Sequence, residues 1–362
     1  MAPLSILHLV NSLGAGGAER FTFDLAVAQA AAGHEVAILS LSTAAELGDT
    51  SGVEARRIKQ LHNSGIDHQI LGHRHRRWLI SATAPLRRIL AERRPDIVHA
   101  HLLTALLMLR LAGRRPPVVA THHNTALPTS PAIFRAGAAR ASALVAISKP
   151  ALPILEQVYR GPIELIHNGI SDHGTAPKPR DGAGPLRVIS LGHMKPAKNY
   201  LHLVEIAATL RDRGLEVEFQ IAGDGPERVA VERRIAELGL PDSIALLGSR
   251  EDTASLLAAS DLYLLTSTKE GMPIALIEAM QAGLPIVSSD VGGCAEVIGL
   301  DGEAGFLVPP GDTAAFAERI ATLAGDRSLR ERMGLVARER AKLFTIETAA
   351  RYYEALYRRV LT

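Results

Sequence analysis

Short apolar runs alternate with helix-like segments along nearly the whole chain, and this alternation restricts the possible folds more than any other feature. The strand-like runs of the first half are 4–10, 35–41, 96–99, 117–121, 143–147 and 162–166, and those of the second half are 186–191, 216–222, 243–247, 261–266 and 284–288. Strands that alternate with helices in this way form parallel sheets with helices on both faces. We therefore predict an α/β fold.

A break in this pattern predicts two domains. Residues 171–185 contain three prolines and three glycines without apolar periodicity, which is typical of a linker. We expect Rossmann-like domains with doubly wound parallel sheets at 1–170 and 186–345, facing each other across a central cleft. Apolar residues recur at helical spacing over 346–362, so we predict a helix there that packs back on the first domain.

Cysteine content and hydropathy favour a soluble protein of the cytoplasm. Cys294 is the only cysteine, which excludes a disulfide within the chain. The opening run 4–10 lacks the basic start and the cleavage site of a signal peptide. No apolar stretch reaches the roughly 18 residues that a membrane-spanning helix needs. We expect a cytoplasmic location, with a peripheral place on the inner face of the cytoplasmic membrane left open.

Positive charge is concentrated in residues 54–115, which contain 13 basic and 4 acidic side chains. One interpretation is a solvated arginine-rich surface, and the other is a surface that contacts anionic lipid or an anionic acceptor. The run 73–77 (HRHRR) precedes Trp78, Leu79 and Ile80, which places an apolar tip beside charge, as in interfacial membrane elements. Nucleic acid is the less favoured partner, because only Trp78 is aromatic among these basic residues.

A glycine-rich turn follows the first strand at 11–20 (NSLGAGGAER). Such a turn lets backbone amides approach an anion at the start of the next helix. Its G-x-G-G spacing differs from the dinucleotide fingerprint, and no acidic residue ends the second strand to hold a ribose. These differences argue against a nicotinamide enzyme. Close packing of the helix against the strand is the alternative interpretation of the turn.

Two histidine pairs follow strands of the first half. His99 and His101 come from DIVHAH, and His122 and His123 come from VVATHHN, so both pairs lie at carboxyl ends of predicted parallel strands. A zinc site is conceivable, but His99 and His101 have no obvious carboxylate or thiolate beside them, and we predict no metal. At least one of the four is expected only to pack or to bond to backbone.

The segment 266–280 (TSTKEGMPIALIEAM) carries the strongest functional signal. Pro273 lies where a helix would begin, and the amides beside it suit a diphosphate. Glu270 precedes this anion site, whereas Glu278 lies about one and a half turns into the helix, where its carboxylate can accept hydrogen bonds from a ribose. Two merely solvated glutamates are the alternative, which does not explain why they lie on both sides of an anion site in so apolar a helix.

These motifs resemble the family-4 retaining glycosyltransferases of the GT-B fold. Glu270 and Glu278 match the E-x7-E motif of that family in the form EGMPIALIE. The resemblance spans nearly the whole chain and includes GGAER, THHN, AISK, HNGI, AGDGP, LLGSRED, AGLPIVSSDVGG and GFLVPPGD in this order. UDP-sugar 2-epimerases share the fold, but their motifs do not resemble EGMPIALIE followed by AGLPIV.

The resemblance implies a role for each matched residue. The catalytic residues would be His123 near the anomeric carbon, Lys198 on the departing diphosphate and Glu270 on the sugar hydroxyls. The donor-binding residues would be Gly16, Gly17, His193, Arg250, Gly271, Met272, Pro273, Ile274 and Glu278. The acceptor-binding residues would be Arg20, His99, His101 and Asn124.

One position departs from the family pattern. The family usually has Gly-Arg at the start of the lysine motif, whereas this chain has Gly192-His193. A neutral histidine offers one donor where arginine offers a charged fork. Weaker activity, a protonated His193 and compensation by Lys195 are the alternatives.

The implied activity is transfer of a sugar from a nucleotide-sugar to a glycan or lipid-linked acceptor, in cell-surface polysaccharide or lipopolysaccharide synthesis. The family retains the anomeric configuration and needs no metal cofactor. A non-catalytic subunit that activates a partner transferase is the main alternative, and a nucleotide-sugar epimerase is the second.

Overall fold

The computed structural model describes residues 2–49, 52–72, 79–113, 116–127, 130–172 and 184–362. They form two compact units, one bounded by Met1–Ser171 and Thr345–Thr362, and the other by Asp172–Phe344. Among the described helices, none has the length and apolar content needed to cross a membrane. The basic run 73–77, Trp78 and most of the predicted linker lie outside the described residues.

The first unit is built on seven parallel strands in the order β3-β2-β1-β4-β5-β6-β7. The strands are β1 (Ser5–Val10), β2 (Glu35–Ser40), β3 (Asp67–Ile70), β4 (Ile97–Ala100), β5 (Val118–His122), β6 (Ala143–Ala146) and β7 (Ile163–Leu165). The helices between them are α1 (Gly17–Ala31), α2 (Val53–Asn63), α3 (Leu79–Arg93), α4 (Thr104–Ala112), α5 (Pro131–Ala138) and α6 (Leu152–Glu156). Because β1 lies between β2 and β4, the strand order reverses there, and the loops after β1 and β4 flank a switch point that can hold ligands.

The second unit repeats this plan with six strands in the order β10-β9-β8-β11-β12-β13. The strands are β8 (Leu186–Leu191), β9 (Val217–Ala222), β10 (Ile244–Gly248), β11 (Leu262–Leu265), β12 (Ile286–Ser289) and β13 (Gly305–Val308). The helices are α7 (Tyr200–Asp212), α8 (Arg228–Glu237), α9 (Thr253–Ala258), α10 (Ile274–Gln281), α11 (Cys294–Ile298), α12 (Thr313–Gly325) and α13 (Arg327–Ala341). The switch point lies between β8 and β11, so the loops after these two strands flank it. These two units confirm the predicted pair of Rossmann-like α/β domains.

The last helix, α14 (Ile346–Leu361), packs within the first unit. Its apolar face buries Tyr353 and Tyr357 against Phe21 of α1. The helix enters beside Gly169, where an added Cβ would lie 2.1 Å from the Thr345 carbonyl oxygen, so only glycine allows this close approach. The first unit is thus completed by residues from the far end of the chain.

Candidate active site

A lysine and a glutamate meet where the loops after β8 and β11 come together. Lys198 Nζ lies 2.8 Å from Glu270 Oε1, and Ser267 Oγ donates a hydrogen bond to the same oxygen over 2.7 Å. The side chains of Lys198 and Glu270 are 14% and 12% exposed, so water screens their attraction less than it would at the surface. The structure therefore places two of the predicted catalytic residues in direct contact.

Hydrogen bonds between the two loops hold this ion pair in place. Thr266 Oγ1 donates to the carbonyl oxygens of Lys198 and Asn199 over 3.1 and 3.2 Å. Thr268 N donates to the Ala197 carbonyl oxygen over 2.9 Å. The position of the Lys198 backbone thus depends on the same loop that carries Glu270.

Helix α10 begins four residues after Glu270, at Ile274, and carries the second glutamate of the motif. Pro273 is the N-cap of this helix and has an extended backbone (φ −75°, ψ 110°). The sequence predicted proline at the first helical position, and the helix in fact begins one residue later, at Ile274. The first amides of a helix have no partner within it, so those at Ile274 and Ala275 suit an anion. The half-buried Glu278 lies four residues after Ile274, on the same side of the helix.

A pair of glycines that the sequence analysis did not assign to the site supports this loop. Gly292 has φ +54°, and an added Cβ would lie 1.8 Å from the Glu270 carbonyl oxygen. Gly293 N donates a hydrogen bond to the Gly271 carbonyl oxygen over 2.9 Å. The GG of AGLPIVSSDVGG therefore holds the segment that carries Glu270, and the close approach explains why a side chain is excluded there.

The other predicted donor-binding side chains of the second unit are exposed or packed. Met272 is buried, and His193 is exposed, with its carbonyl oxygen accepting from Lys195 N over 2.8 Å. Arg250 donates to both carboxylate oxygens of Asp252 over 2.7 and 2.6 Å, which raises the pKa of Arg250 and lowers that of Asp252. The Arg250 guanidinium is thus already engaged by a neighbouring carboxylate.

The glycine-rich turn of the first unit is filled by side chains that the sequence analysis did not single out. Ala15 N donates to Asp49 Oδ2 over 2.7 Å, so one amide predicted to face an anion already has a carboxylate partner. Arg57 donates to the carbonyl oxygens of Leu13 and Gly14. Burial lowers the pKa of Arg57 to about 10, and the nearby positive charge of Arg20 contributes.

The residues that follow this turn open helix α1. Gly16 is the N-cap of α1, and Gly17 is its first residue. Arg20, predicted to bind the acceptor, forms an ion pair with Asp24 one turn further along, at 2.8 Å between Nε and Oδ2. Because the Asp24 side chain is 5% exposed, this pair is partly buried and holds Arg20 against the helix.

Four histidines of the first unit belong to one hydrogen-bonded group, namely His8, His99, His101 and His123. His101 Nε2 lies 3.0 Å from His8 Nδ1, and His101 Nδ1 lies 3.1 Å from His123 Nε2. His99 bonds through Nε2 to Thr121 Oγ1 over 2.8 Å and through Nδ1 to a tyrosine hydroxyl of α14 over 2.7 Å. His99 is fully buried, and both of its ring nitrogens and both of those of the buried His101 already have hydrogen-bond partners, so their predicted contact with an acceptor stays a prediction.

Two ring nitrogens at and just after the end of β5 have no hydrogen-bond partner among the described residues. His122 Nε2 and His123 Nδ1 are shielded from water, and neither has a hydrogen-bond partner in the part of the chain that the structure describes. Burial lowers the pKa of His122 to about 4 and that of His123 to about 3. Asn124, the next residue, is exposed. An unpaired buried nitrogen is costly, so it marks a place where a ligand group can bind.

Family models match both units of the chain. The model described as Glycosyltransferase Family 4 matches residues 15–173, and the model described as Glycosyl transferases group 1 matches residues 177–340. N-acetyl-alpha-D-glucosaminyl L-malate synthase of Bacillus anthracis is 34% identical over 175 residues, which are 48% of this chain and 45% of that protein. Alpha-D-kanosaminyltransferase of Streptomyces kanamyceticus is 36% identical over 148 residues, which are 40% of this chain and 38% of that protein. The chain thus matches less than half the length of these relatives.

A solved structure has the same fold over nearly the full chain. HepE of Anabaena, in complex with UDP and glucose, superposes with a TM-score of 0.82 over 98% of this chain and 99% of its own, at 22% sequence identity. At this identity the likeness establishes the fold, and the family models and the motif residues carry the assignment to a family.

Proposed function

Because this chain belongs to the family-4 glycosyltransferases of the GT-B fold, we propose that it transfers a sugar from a nucleotide-sugar donor to a glycan or lipid-linked acceptor in polysaccharide or other glycoconjugate synthesis. The observation that carries the proposal is the Lys198–Glu270 ion pair beside the N-terminus of α10, with Glu278 on the same helix. A cation and free amides suit a diphosphate, and a carboxylate suits ribose hydroxyls. The UDP bound by HepE supports a nucleotide-sugar as donor.

The proposed reaction breaks the bond between the anomeric carbon and the diphosphate. The acceptor hydroxyl forms the new bond on the same face of the sugar, and its proton passes to the departing phosphate, so the configuration is retained. Lys198 and the first amides of α10 stabilise the charge on the leaving group. Glu270 contacts sugar hydroxyls, and its ion pair with Lys198 on the phosphate side argues against a covalent role.

A non-catalytic subunit is the second candidate, and the observation that favours it is the exposed His193 in place of the usual arginine. This candidate would be favoured if the protein binds nucleotide but shows neither sugar transfer nor donor hydrolysis, whether or not cell extract is added. Recovery of turnover in His193→Arg would instead identify an enzyme that this position weakens.

Substitution of Glu278 tests the donor site. Glu278→Ala is expected to weaken nucleoside diphosphate binding by roughly 1.5–3 kcal/mol, since the ribose loses a charged acceptor. Calorimetry with UDP, GDP and ADP, preceded by thermal-shift screening of their sugars, measures this. Glu296→Ala on α11 serves as the matched control, and equal affinity in wild type and Glu278→Ala would contradict the assignment.

Chelation tests whether a metal takes part. We propose that the diphosphate charge is met by Lys198 and by backbone amides, so turnover should persist in excess EDTA. The rate of donor consumption before and after dialysis against chelator is the measurement. Complete loss of turnover that manganese or zinc restores would overturn the metal-independent mechanism.

The basic surface of the first unit is proposed to dock on anionic membranes that present a lipid-linked acceptor. Among described residues, an open groove of about 660 Å³ is lined by Thr83, Ala84, Arg87, Arg88, Ala91 and the exposed Leu111. Each basic residue near an anionic surface contributes about 1 kcal/mol, and salt screens this within ~8 Å.

Co-sedimentation with vesicles tests this docking. Binding to anionic vesicles at low salt should exceed binding to neutral ones, and it should fall at high salt. A variant with Arg74, Arg76 and Arg77 changed to Ser, and a second with Arg87→Ser and Arg88→Ser, should bind less. Equal recovery of the protein with anionic and neutral vesicles would identify the basic residues of 54–115 as ordinary solvated surface.

A further inference from the structure

A chain of buried and partly buried hydrogen bonds in the first unit ends on His123. It runs from Gln29 Oε1 to His8 Nε2 over 2.7 Å, from His8 Nδ1 to His101 Nε2 over 3.0 Å, and from His101 Nδ1 to His123 Nε2 over 3.1 Å. We propose that Gln29, His8 and His101 are positioning residues that hold His123 as its Nε2–H tautomer, with Nδ1 as a bare acceptor for a substrate hydroxyl group. We name these four residues the histidine relay.

The direction of the relay is set at Gln29. Its amide Nε2 donates to the hydroxyl of Tyr357 over 3.2 Å, which leaves the amide oxygen to accept from His8 Nε2. A neutral imidazole carries one N–H, so His8 Nδ1 is then an acceptor, and His101 Nε2 must donate to it. By the same rule, His101 Nδ1 accepts and His123 Nε2 donates. One amide on α1 therefore determines the tautomers of three rings.

This rule requires three neutral rings, and their surroundings provide that condition. Burial lowers the pKa of His8 to about 4 and that of His123 to about 3. It also lowers the pKa of His101 well below its ordinary value, and the neighbouring histidines contribute. At neutral pH each ring thus has one donor and one acceptor, and the chain of bonds can be satisfied in one order from Gln29 to His123.

A metal ion bound by His8, His99 and His101 is the competing interpretation, because ring nitrogens of all three lie within 4.8 Å of one another. His99, however, already bonds through both nitrogens, to Thr121 and to Tyr357. Over the described ranges, this group contains no carboxylate or thiolate, so a divalent cation there would be buried without a counter-charge. The hydrogen-bonded order therefore accounts for these contacts better than a metal does.

The relay restricts the chemistry of the group that His123 can meet. An unprotonated Nδ1 accepts a hydrogen bond from a hydroxyl group and repels a carboxylate oxygen. The relay thus favours a neutral sugar over a uronic acid. This role of His123 rests on the proposed function, whereas its tautomer can be measured without any substrate.

Long-range proton–nitrogen NMR spectra of the full chain labelled with ¹⁵N-histidine measure the tautomers directly. In the wild type at pH 7.5, we expect His123 to be protonated at Nε2 only. His8→Asn should keep this state, since the amide oxygen can accept from His101 Nε2. His8→Phe should let His101 and His123 exchange between both tautomers. Gln29→Met removes the start of the relay and should likewise let His101 and His123 exchange between tautomers. This variant serves as the test if His8→Phe fails to fold.

A buried histidine of the second unit provides the control. His202 bonds through Nε2 to Thr313 over 3.1 Å, and His202→Phe should leave the His123 signals unchanged. An Nδ1-protonated His123 in the wild type, or an unchanged His123 in Gln29→Met, would overturn the relay. Saturable shifts of the His8, His99 and His101 signals by one equivalent of Zn²⁺ would overturn it in favour of the metal site.

Turnover provides a second readout. With a donor identified by binding, kcat is expected to fall roughly tenfold in His8→Phe and to recover in His8→Asn, because the ring of His123 stays in place while its tautomer changes. KM for the donor should change little in either variant. Absence of turnover with every donor would contradict the proposed function, whereas the tautomer measurement would still decide the relay.

Discussion

Acidification is expected to unfold the first unit between about pH 6 and pH 4 while the second unit stays folded, since the first unit contains the group of neutral, buried histidines. Below pH 6.5 the unfolded chain takes up protons that His8, His122 and His123 cannot take up in the folded state, so the free energy of unfolding falls as pH falls. The loss continues until pH reaches the folded pKa values, near 4 for His8 and His122 and near 3 for His123.

The size of this effect is comparable with the stability of a whole domain. At pH 5, each of the three histidines lowers the free energy of unfolding by roughly 2 kcal/mol, or about 6 kcal/mol together. The free energy of unfolding of a typical domain is about 5–15 kcal/mol. His99 and His101 add to the loss, because burial lowers the pKa of both.

Hydrogen-exchange mass spectrometry from pH 7 to pH 4 resolves the two units and measures this transition. His122→Asn removes one protonation site whose nitrogen has no partner in the described structure, so its transition should move to lower pH. His62→Asn, at an exposed position of α2, should leave the transition unchanged. Protection of the first unit down to pH 4, or simultaneous unfolding of both units, would contradict this prediction.

Removal of the positive charge of Lys198 is expected to reduce turnover by roughly 10²–10³-fold, because the departing diphosphate then lacks the cation that we propose to stabilise it. Affinity for the free nucleoside should change little in Lys198→Met, since the charge acts on the phosphates. The same substitution leaves Glu270 partly buried without its ion-pair partner, so the melting temperature should also fall.

A double-mutant cycle separates these two effects. Glu270→Gln alone should also lower the melting temperature, whereas Lys198→Met with Glu270→Gln should restore much of it and remain inactive. Arg187→Met breaks the exposed Arg187–Glu218 ion pair of the same unit, at 3.3 Å, and should affect neither turnover nor melting substantially. Normal turnover in Lys198→Met would show that the phosphate site lies elsewhere.

The architecture could be predicted from the sequence because apolar runs and helical periodicity are local properties of the chain. Two strands were not predicted from these patterns. β3 (Asp67–Ile70) has the sequence DHQI, whose three polar residues suit a solvated sheet edge and produce no apolar run. β13 (Gly305–Val308) is four residues long and lies inside GFLVPPGD, a segment that the sequence analysis used as a family motif without predicting a strand there.

The loop and helix of EGMPIALIE could also be predicted from the sequence, because Glu270, Pro273 and Glu278 are neighbours along the chain and their spacing follows from one helix. The contacts that these residues make with distant parts of the chain could not be predicted in this way. Lys198 and Glu270 are 72 residues apart, and Gln29 and Tyr357 are 328 apart. Such partners depend on strand register and on the packing of α14 against α1, which are determined by the burial of many side chains at once. The sequence by itself therefore determined the α/β architecture and most of the segments that form each sheet, whereas only the tertiary structure decided which distant residues share a hydrogen bond or an ion pair.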